Sequence, residues 1–371
     1  DKKIIVVGCF VQRYRDTLVE ELSEVDLFVG TEGPTQLGRI LDNFADGKLD
    51  GKLILPPTFL MDSSSPRLLS TPPFRAWLKI TEGCDNRCSY CMIPSIRGNL
   101  RSRKQDDLVV EAQELGAKGV KELSLIAQDS TAYGNDLMGS ENLESLMRSL
   151  LENTSLDWFL IIYLYHTVVT FYLLDLMAEN DLIVSYLDIP FQHVNDRILK
   201  LMNRPYGYDK LVQLVTKIRA KLPDIALRTT FLVGFPGETD DEFLEIEQFM
   251  KEVQLDHVGV FPYANEEGCP SENFPGQIDE EVKLSRRDHL LEVQAELSST
   301  IQQKYIGKTL PVIVEGVSKE TDLLLEGRSQ FQAPEVDGCV YINDGNANAG
   351  DIVYVKISET QIYDLVGGIV E

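Results

Sequence analysis

The chain has 371 residues, of which 43% are hydrophobic and 25% charged, so it suits two or three folded domains and is not mostly disordered. With 59 Asp and Glu against 35 Lys and Arg, its net charge of -24 disfavours binding to nucleic acid or an anionic membrane and suits a basic protein partner. No apolar run reaches the roughly 20 residues of a membrane span, and no signal peptide is recognisable. Six cysteines without such a signal predict a cytoplasmic protein in which clustered cysteines bind metal or do redox chemistry.

The N-terminal segment alternates short apolar strands with helices. We predict strands at 4–8 and 27–29 and helices at 16–22 and 35–44. This is too little chain for a complete α/β domain. A loop rich in Pro and Ser follows at 56–73 and predicts a linker. We therefore assign residues 1–73 to part of an N-terminal α/β domain plus its linker, and expect the chain to be the later part of a longer protein.

The middle of the chain alternates strand and helix patterns at a steady pace. The predicted strands are 76–80, 122–127, 158–164, 185–189, 227–233 and 257–261, and the predicted helices are 106–118, 142–151, 170–178, 208–221 and 240–253. Six β/α repeats predict a parallel sheet with right-handed crossovers, which falls short of the eight repeats of a closed TIM barrel. We therefore predict an open, partial (β/α)6 TIM-like barrel over residues 74–303, with its site at the C-terminal ends of the strands.

The end of the chain has a different character. A charged helix at about 280–305 leads out of the barrel, and the tail beyond it is rich in Val, Ile and Gly. Short apolar runs at 310–315, 340–342 and 352–357 predict a small antiparallel β-barrel of about five strands over residues 304–371. The predicted fold class is therefore α/β, with a partial N-terminal domain and a C-terminal β-barrel.

The strongest chemical signal is a loop with three cysteines, Cys84, Cys88 and Cys91, in the spacing C-x3-C-x2-C. The loop follows the first barrel strand and so lies at the edge where barrel enzymes carry their sites. Three thiolates can hold three irons of a 4Fe-4S cluster and leave the fourth iron open for catalysis. A zinc site is the alternative, but zinc normally takes four ligands, and no fourth Cys or His lies close in sequence.

This loop resembles that of the radical S-adenosylmethionine (SAM) superfamily. The resemblance implies that the open iron chelates the amino and carboxylate groups of SAM, and that an electron from the cluster cleaves SAM to a 5′-deoxyadenosyl radical. Tyr90 matches the family's aromatic position beside the adenine. Gln128 and Asp129, after the second strand, match the place that contacts the methionyl amino group, although turn chemistry would also explain Asp129.

Two later motifs add to the predicted SAM site. Gln192 and His193, after the fourth strand, match a family motif that faces the pocket, although His193 could also be a structural histidine. Arg228 lies in a buried strand and needs an anion, which the SAM carboxylate could supply. Gly234 and Gly237 would let the backbone approach the adenosine closely. Thr239, which follows, is predicted to be the N-cap of the next helix.

Cys9 follows the first strand in the context Gly-Cys-Phe-Val-Gln-Arg-Tyr. A lone Cys after a strand usually packs in a core. The methylthiotransferase branch of the superfamily, however, has an N-terminal domain in which three cysteines bind a second 4Fe-4S cluster, and the third lies in a similar context. The resemblance implies that Cys9 is one ligand of this auxiliary cluster. The other two would precede Asp1, so the ligand set is incomplete in this chain. Cys269 and Cys339 are isolated and are interpreted as incidental.

Two methylthiotransferase subfamilies compete. One modifies an adenosine in tRNA, and the other adds a methylthio group to the β-carbon of an aspartate in small ribosomal subunit protein twelve. The sequences Ile-Pro-Ser-Ile-Arg-Gly at 93–98 and Gln-Asp-Ser-Thr-Ala-Tyr-Gly at 128–134 resemble the second subfamily. Residues 165–170 depart from the family, which usually has Tyr-Pro and a Gly-containing loop there.

The tail resembles a TRAM domain, which binds RNA in the tRNA enzymes. From residue 304 to 371 it carries 5 Lys and Arg against 11 Asp and Glu, whereas an RNA-binding surface should be basic. The acidic tail suits a basic ribosomal protein, so we expect that partner, an electron donor, no membrane and no direct nucleic-acid binding. The alternatives are the tRNA adenosine enzyme, and a metal-stabilised binding protein without radical chemistry, which would leave SAM uncleaved.

Overall fold

The computed structural model describes residues 2–33, 36–165 and 171–370. Its first unit is a three-stranded parallel sheet in the order β1-β2-β3 with two helices. The elements are β1 (Ile5–Val7), α1 (Cys9–Glu21), β2 (Leu27–Val29), α2 (Leu37–Ala45) and β3 (Gly51–Leu53). Helix α1 begins seven residues before the predicted start, and its geometry breaks at Arg15, where φ is 46°. The predicted start of α2 at Thr35 lies outside the described residues.

The middle region alternates strands and helices as predicted. Its strands are β4 (Arg75–Lys79), β5 (Thr81–Glu82), β6 (Arg101–Ser102), β7 (Glu122–Ile126), β8 (Trp158–Ile161), β9 (Tyr186–Asp188), β10 (Ala226–Val233) and β11 (His257–Pro262). Its helices are α3 (Ile93–Arg97), α4 (Gln105–Ala117), α5 (Leu143–Asn153), α6 (Phe171–Glu179), α7 (Asp196–Leu201), α8 (Tyr208–Lys221), α9 (Asp240–Val253) and α10 (Glu280–Gln302). The sequence patterns missed the short pieces β3, β5, β6, α3 and α7, because elements of a few residues carry too little periodicity.

Six of these strands form an open parallel barrel. Strands β4, β7 and β8 pair in parallel, as do β9, β10 and β11. A parallel bridge between Phe159 and Ile183 joins the two sets, so the strands follow one another in chain order. Within the described residues β4 and β11 are not paired with each other, which leaves the barrel open. The predicted partial (β/α)6 barrel is confirmed.

The helices cover the barrel with apolar faces. In α9, the buried residues recur at helical spacing, and Phe249 contacts the rings of Phe191 and Phe231 edge-on. The helix begins at a capping box, in which the Thr239 side chain accepts from the Glu242 amide and the Glu242 side chain accepts from the Thr239 amide. This confirms the predicted N-cap. No helix among the described residues is long and apolar enough to cross a membrane.

The C-terminal barrel has the five strands that the tail predicts, β12 (Thr309–Val317), β13 (Leu325–Ser329), β14 (Val340–Asp344), β15 (Ile352–Thr360) and β16 (Leu365–Ile369). They close in the order β12-β13-β14-β16-β15. The predicted antiparallel barrel is confirmed, with one parallel pair among its strands, β14 and β16. The reason is geometric: a closed ring with an odd number of strands needs at least one parallel pair.

This small barrel covers the lower, N-terminal edge of the open barrel. Ile313 and Ala333 of the small barrel share an apolar cluster with Trp158 and Tyr186, which begin β8 and β9. Arg328 of β13 forms a buried ion pair with Glu122, the first residue of β7. The C-terminal barrel therefore lies at the end opposite the strand ends that carry active sites in such folds.

Candidate active site

A cavity of about 310 Å³ opens at the C-terminal ends of the barrel strands. All three loop cysteines line it, together with four of the eight residues predicted to bind the cofactor: Tyr90, Gln128, Asp129 and Gln192. The cavity also exposes residues that the sequence analysis missed, among them Asn86, Tyr163, Tyr165, Arg204 and Thr230. The structure thus brings together residues from loops that lie more than a hundred positions apart in the chain.

The cysteine loop is held to the barrel by its own backbone. Gly83 turns into it with φ 76°, and a Cβ there would lie 2.1 Å from the Asn99 carbonyl oxygen, so glycine is required. The Cys84 amide donates to the Gly98 carbonyl at 3.1 Å. At the other end the Ser89 amide donates to the Met202 carbonyl at 3.2 Å. These bonds fix the loop between β5 and the end of α7.

The three thiols suit a cluster more than a single ion. Cys84 and Cys88 are buried and Cys91 is half-buried, and burial raises the pKa values of Cys84 and Cys91. Bound iron would deprotonate such thiols outright. In the described parts of the chain, no three His, Cys, Asp or Glu side chains converge on one point where a metal ion could bind. In a 4Fe-4S cluster each cysteine binds a separate iron, so the donor set fits that group.

Gln128 and Asp129 stand beside the cysteine loop. The Asp129 carboxylate accepts from the Thr131 amide at 3.1 Å and from Asn86 Nδ2 at 2.7 Å, so it serves the local turn and also ties that turn to the cysteine loop. Gln128 Oε1 is buried and has no hydrogen-bond partner among the residues that the structure describes. A buried carbonyl oxygen that faces a cavity is a free acceptor for an N–H group of a ligand.

Arg204 brings a positive charge to the cavity wall. Its guanidinium donates to the Tyr90 hydroxyl at 2.7 Å and stacks 4.6 Å from the centre of the Tyr165 ring. No carboxylate of the described residues lies within ion-pair distance of it. No motif marked Arg204 in the sequence, because it follows a short helix that the patterns missed.

The structure places Arg228 outside the cavity, and its predicted contact with SAM stays a prediction. Its guanidinium donates to the carboxylate of Asp337, in the C-terminal barrel, and its Nε lies 3.9 Å from Asp188 Oδ1. Arg228 does not line the cavity. The anion that a buried arginine needs is supplied by the protein itself.

The structure also places His193 outside the cavity. The side chain is fully buried and away from the cavity. Its Nδ1 accepts from the Asn195 amide at 3.0 Å, and its Nε2 lies 3.4 Å from Glu238 Oε2. His193 is therefore a structural histidine that helps to begin α7, which was the other interpretation that the sequence left open.

Gly234 and Gly237 do not line the cavity either. Both have positive φ, 73° and 79°, so glycine suits them. The reason differs from the predicted close approach to adenosine. The Gly234 amide donates to the Glu238 carboxylate at 3.0 Å, and a Cβ on Gly234 would lie 2.3 Å from Cγ of Lys283. These glycines serve the turn into α9.

Cys9 is exposed at the start of α1 and does not line the cavity. Its sulfur accepts from Arg97 Nη2 at 2.9 Å, and Arg97 ends the short helix α3 that follows Cys91. The N-terminal unit therefore contacts the cysteine loop's own continuation. The role of Cys9 as a cluster ligand stays a prediction. The predicted departure at 165–170 falls mostly on residues 166–170, which lie outside the described residues.

Two parts of the chain match known domain families. Residues 78–250 match the Radical SAM superfamily, and residues 306–370 match the TRAM domain. These matches fall inside the predicted 74–303 and 304–371 units, whose limits stay a prediction. A solved structure of the radical S-adenosylmethionine methyltransferase TsrM from Kitasatospora setae superposes with a TM-score of 0.54 at 15% identity. The match covers 70% of this chain and 56% of that one, and supports the fold.

Curated relatives match the chain from end to end. The chain is 60% identical over 370 residues to the ribosomal protein uS12 methylthiotransferase RimO of Desulfotalea psychrophila, a match that covers 100% of this chain and 84% of that protein. It is 46% identical to the protein of the same name from Geotalea uraniireducens, with 99% and 82% covered. Both alignments include the cavity residues and both barrels described above.

Proposed function

The chain belongs to the RimO family of ribosomal protein uS12 methylthiotransferases, and from that premise we propose that its substrate is uS12 and that it methylthiolates the β-carbon of an aspartate in that protein. It is a radical SAM methylthiotransferase. The observation that carries the proposal is the identity of 60% over the full chain. A ribosomal substrate places the enzyme's work in the cytoplasm, as the cysteine content predicts.

Cys84, Cys88 and Cys91 would hold the 4Fe-4S cluster, with SAM beside it in the cavity. When bound, the cluster supplies the electron for reductive cleavage of SAM. The protein would bind and orient SAM and the substrate in the cavity at the strand ends. The fixed backbone of the cysteine loop supports this role, since a loop anchored at both ends keeps the three thiols in place.

We propose that Arg204, and not Arg228, binds the carboxylate of a ligand in this cavity. It is a cation with hydroxyl and ring neighbours and, within the described parts of the chain, no carboxylate partner, so an incoming carboxylate would complete its environment. The orphan Gln128 Oε1 would accept from an ammonium group such as that of SAM. Tyr90, which Arg204 fixes through its hydroxyl, would lie beside the adenine.

Cys9 is proposed as one ligand of an auxiliary 4Fe-4S cluster. Its exposed sulfur accepts from Arg97, on the continuation of the cysteine loop, which supports an auxiliary cluster close to that loop. A guanidinium that donates to a ligand sulfur stabilises the thiolate form. This cluster would hold the sulfur that is transferred, and an external electron donor would serve both sites.

The acidity of the chain supports a basic protein substrate over RNA. The net charge is -24, and the C-terminal barrel shares the negative sign although it matches the TRAM domain. Such a surface attracts a basic protein and repels phosphate. The charge therefore favours uS12 over tRNA, and direct nucleic-acid binding is not part of the proposal.

The test is metal content followed by two substrate assays. After anaerobic reconstitution we expect iron and sulfide without zinc, and SAM cleavage with a mass gain of one CH2S unit on a uS12 peptide that contains the target aspartate. Methylthio-adenosine in tRNA with an unmodified peptide would support the tRNA enzyme instead. Zinc without sulfide, and intact SAM, would support a metal-stabilised binding protein.

Replacing one loop cysteine should abolish SAM cleavage. Cys84→Ala, Cys88→Ala and Cys91→Ala each remove one of three iron ligands, so bound iron and 5′-deoxyadenosine formation should both fall to background. The matched control is Cys339→Ala, because Cys339 lies in the C-terminal barrel, far along the chain from the loop. Undiminished 5′-deoxyadenosine in all three loop variants would contradict the proposed cluster.

A further inference from the structure

Asp337 reaches from the C-terminal barrel into the lower part of the open barrel. Its buried carboxylate accepts from the Tyr186 hydroxyl at 2.6 Å and from Arg228 Nη1, and lies 3.5 Å from His257 Nδ1. These three partners stand on the adjacent strands β9, β10 and β11. Although burial opposes ionisation, His257 and Arg228 hold the pKa of Asp337 below its usual range. One carboxylate thus joins three strands of the other domain.

Arg228 links Asp337 to a second carboxylate, that of Asp188. It stands between two carboxylates, Asp337 below and Asp188 beside it, with Nε 3.9 Å from Asp188 Oδ1. Asp188 is the last residue of β9 and pairs directly with Arg228 in the sheet. The Asp188 carboxylate therefore lies in the field of a guanidinium that Asp337 anchors, at ion-pair distance and without a hydrogen bond to it.

Asp188 in turn accepts hydrogen bonds from two backbone amides in the cavity wall. Its Oδ2 accepts from the Tyr163 amide at 3.4 Å, and its carbonyl accepts from the Leu164 amide at 2.9 Å. Tyr163 and Leu164 both line the cavity. Tyr163 has φ 59°, a left-handed conformation that is strained for a large residue and persists only where its surroundings hold it.

We propose that Asp337 is a positioning residue for the active site: it fixes Arg228, which with Asp188 holds the backbone of Tyr163 and Leu164 in the cavity wall. The C-terminal barrel therefore contributes to the SAM cavity from the opposite end of the open barrel. It does so through buried hydrogen bonds and ion pairs, without lining the cavity itself.

The test compares Asp337→Asn with Glu122→Gln. Glu122 is the matched control, because it also forms a buried pair with an arginine across the same interface, Arg328, and has no contact with the cavity. Each variant leaves its arginine one further carboxylate, Asp188 or Glu315. A difference between the variants therefore shows that the contacts through Arg228 and Asp188 affect the cavity, and is not explained by a general loosening of the interface.

The first readout is hydrogen exchange at the Tyr163 and Leu164 amides in the protein without cluster or SAM. Because charge-assisted hydrogen bonds are lost, we expect exchange there to rise about tenfold in Asp337→Asn and to stay unchanged in Glu122→Gln. Equal protection in Asp337→Asn and the wild type, or an equal rise in both variants, would overturn the proposal. Tyr186→Phe, which removes one bond to Asp337 without a charge change, should show a smaller rise at the same amides and keeps the test valid if Asp337→Asn does not fold.

The second readout is the KM for SAM in 5′-deoxyadenosine formation by the reconstituted enzyme. This part rests on the proposed function. We expect the KM to rise about fivefold in Asp337→Asn with kcat nearly constant, and no change in Glu122→Gln. If the wild type does not cleave SAM, the proposed function fails while the exchange measurement still decides the positioning role. An unchanged KM in Asp337→Asn, with wild-type cleavage intact, would overturn that role.

Discussion

At the scale of single residues, two arginines show how the neighbours of a side chain decide its use. Arg228 lies between the carboxylates of Asp337 and Asp188, so its charge is balanced within the protein. Arg204 lies at the cavity among phenol groups, and no carboxylate of the described chain pairs with it. Because an unbalanced cation in a partly dry site favours an incoming anion, the two side chains have different roles.

Replacing Arg204 should weaken the binding of a carboxylate. For Arg204→Met we expect the Kd of the affected ligand to rise about tenfold to a hundredfold, since charged hydrogen bonds contribute about 1.5–3 kcal/mol. Titration with SAM and with the uS12 peptide identifies the source: a shift for SAM alone assigns the methionyl carboxylate, and a shift for the peptide alone assigns the target aspartate. Arg148→Gln, at an exposed position, is the control. Unchanged affinity for both ligands would contradict the assignment.

At the scale of elements, the cysteine loop depends on the geometry of its first turn. Gly83 combines a positive φ with a close approach to a neighbouring carbonyl, that of Asn99, which would lie 2.1 Å from a Cβ. The loop therefore cannot accept a side chain there without moving its backbone, and Cys84 would move with it. The strands β5 and β6, each only two residues long, lie directly before and after this loop, so a shift of the turn at Gly83 would also disturb their pairing.

Gly83→Ala should therefore lose bound iron, and not only stability. The control is Gly119→Ala, because Gly119 also has positive φ, 95°, but a Cβ there meets nothing within 4 Å. We expect Gly119→Ala to cost about 1 kcal/mol of backbone strain and to keep its iron. Iron content after reconstitution and thermal unfolding of both variants measure the difference. Equal iron content in the two variants would show that the clash at Gly83 is absorbed elsewhere.

At the scale of the whole molecule, the two barrels divide the work. The open barrel carries the cavity at one end, and the C-terminal barrel covers the other with an apolar cluster and buried ion pairs such as Arg328–Glu122. The chain as a whole is strongly acidic, with a net charge of -24. A long-range negative field concentrates a basic substrate near the enzyme before any specific contact forms.

The association with uS12 should therefore weaken with salt. Raising the ionic strength from about 0.05 M to 0.5 M shortens the screening length several-fold, so we expect the KM for a basic uS12 substrate to rise about tenfold. The KM for SAM, which is small and carries both signs of charge, should stay nearly constant and serves as the internal control. A KM for uS12 that is independent of salt would show that the acidic surface does not steer the substrate.

The sequence by itself determined the parts that local patterns encode. The strand and helix periodicity predicted six parallel strands and a five-stranded barrel, and Thr239 marked a helix start. The C-x3-C-x2-C spacing predicted a cluster loop, and its three cysteines line the cavity. Only the tertiary structure decided the partners of polar side chains. Arg228 pairs with Asp337, 109 residues away, and Arg204 reaches the cavity from the loop after α7, a helix too short to detect from the sequence. Such pairings depend on distances in space, which spacing along the chain does not determine.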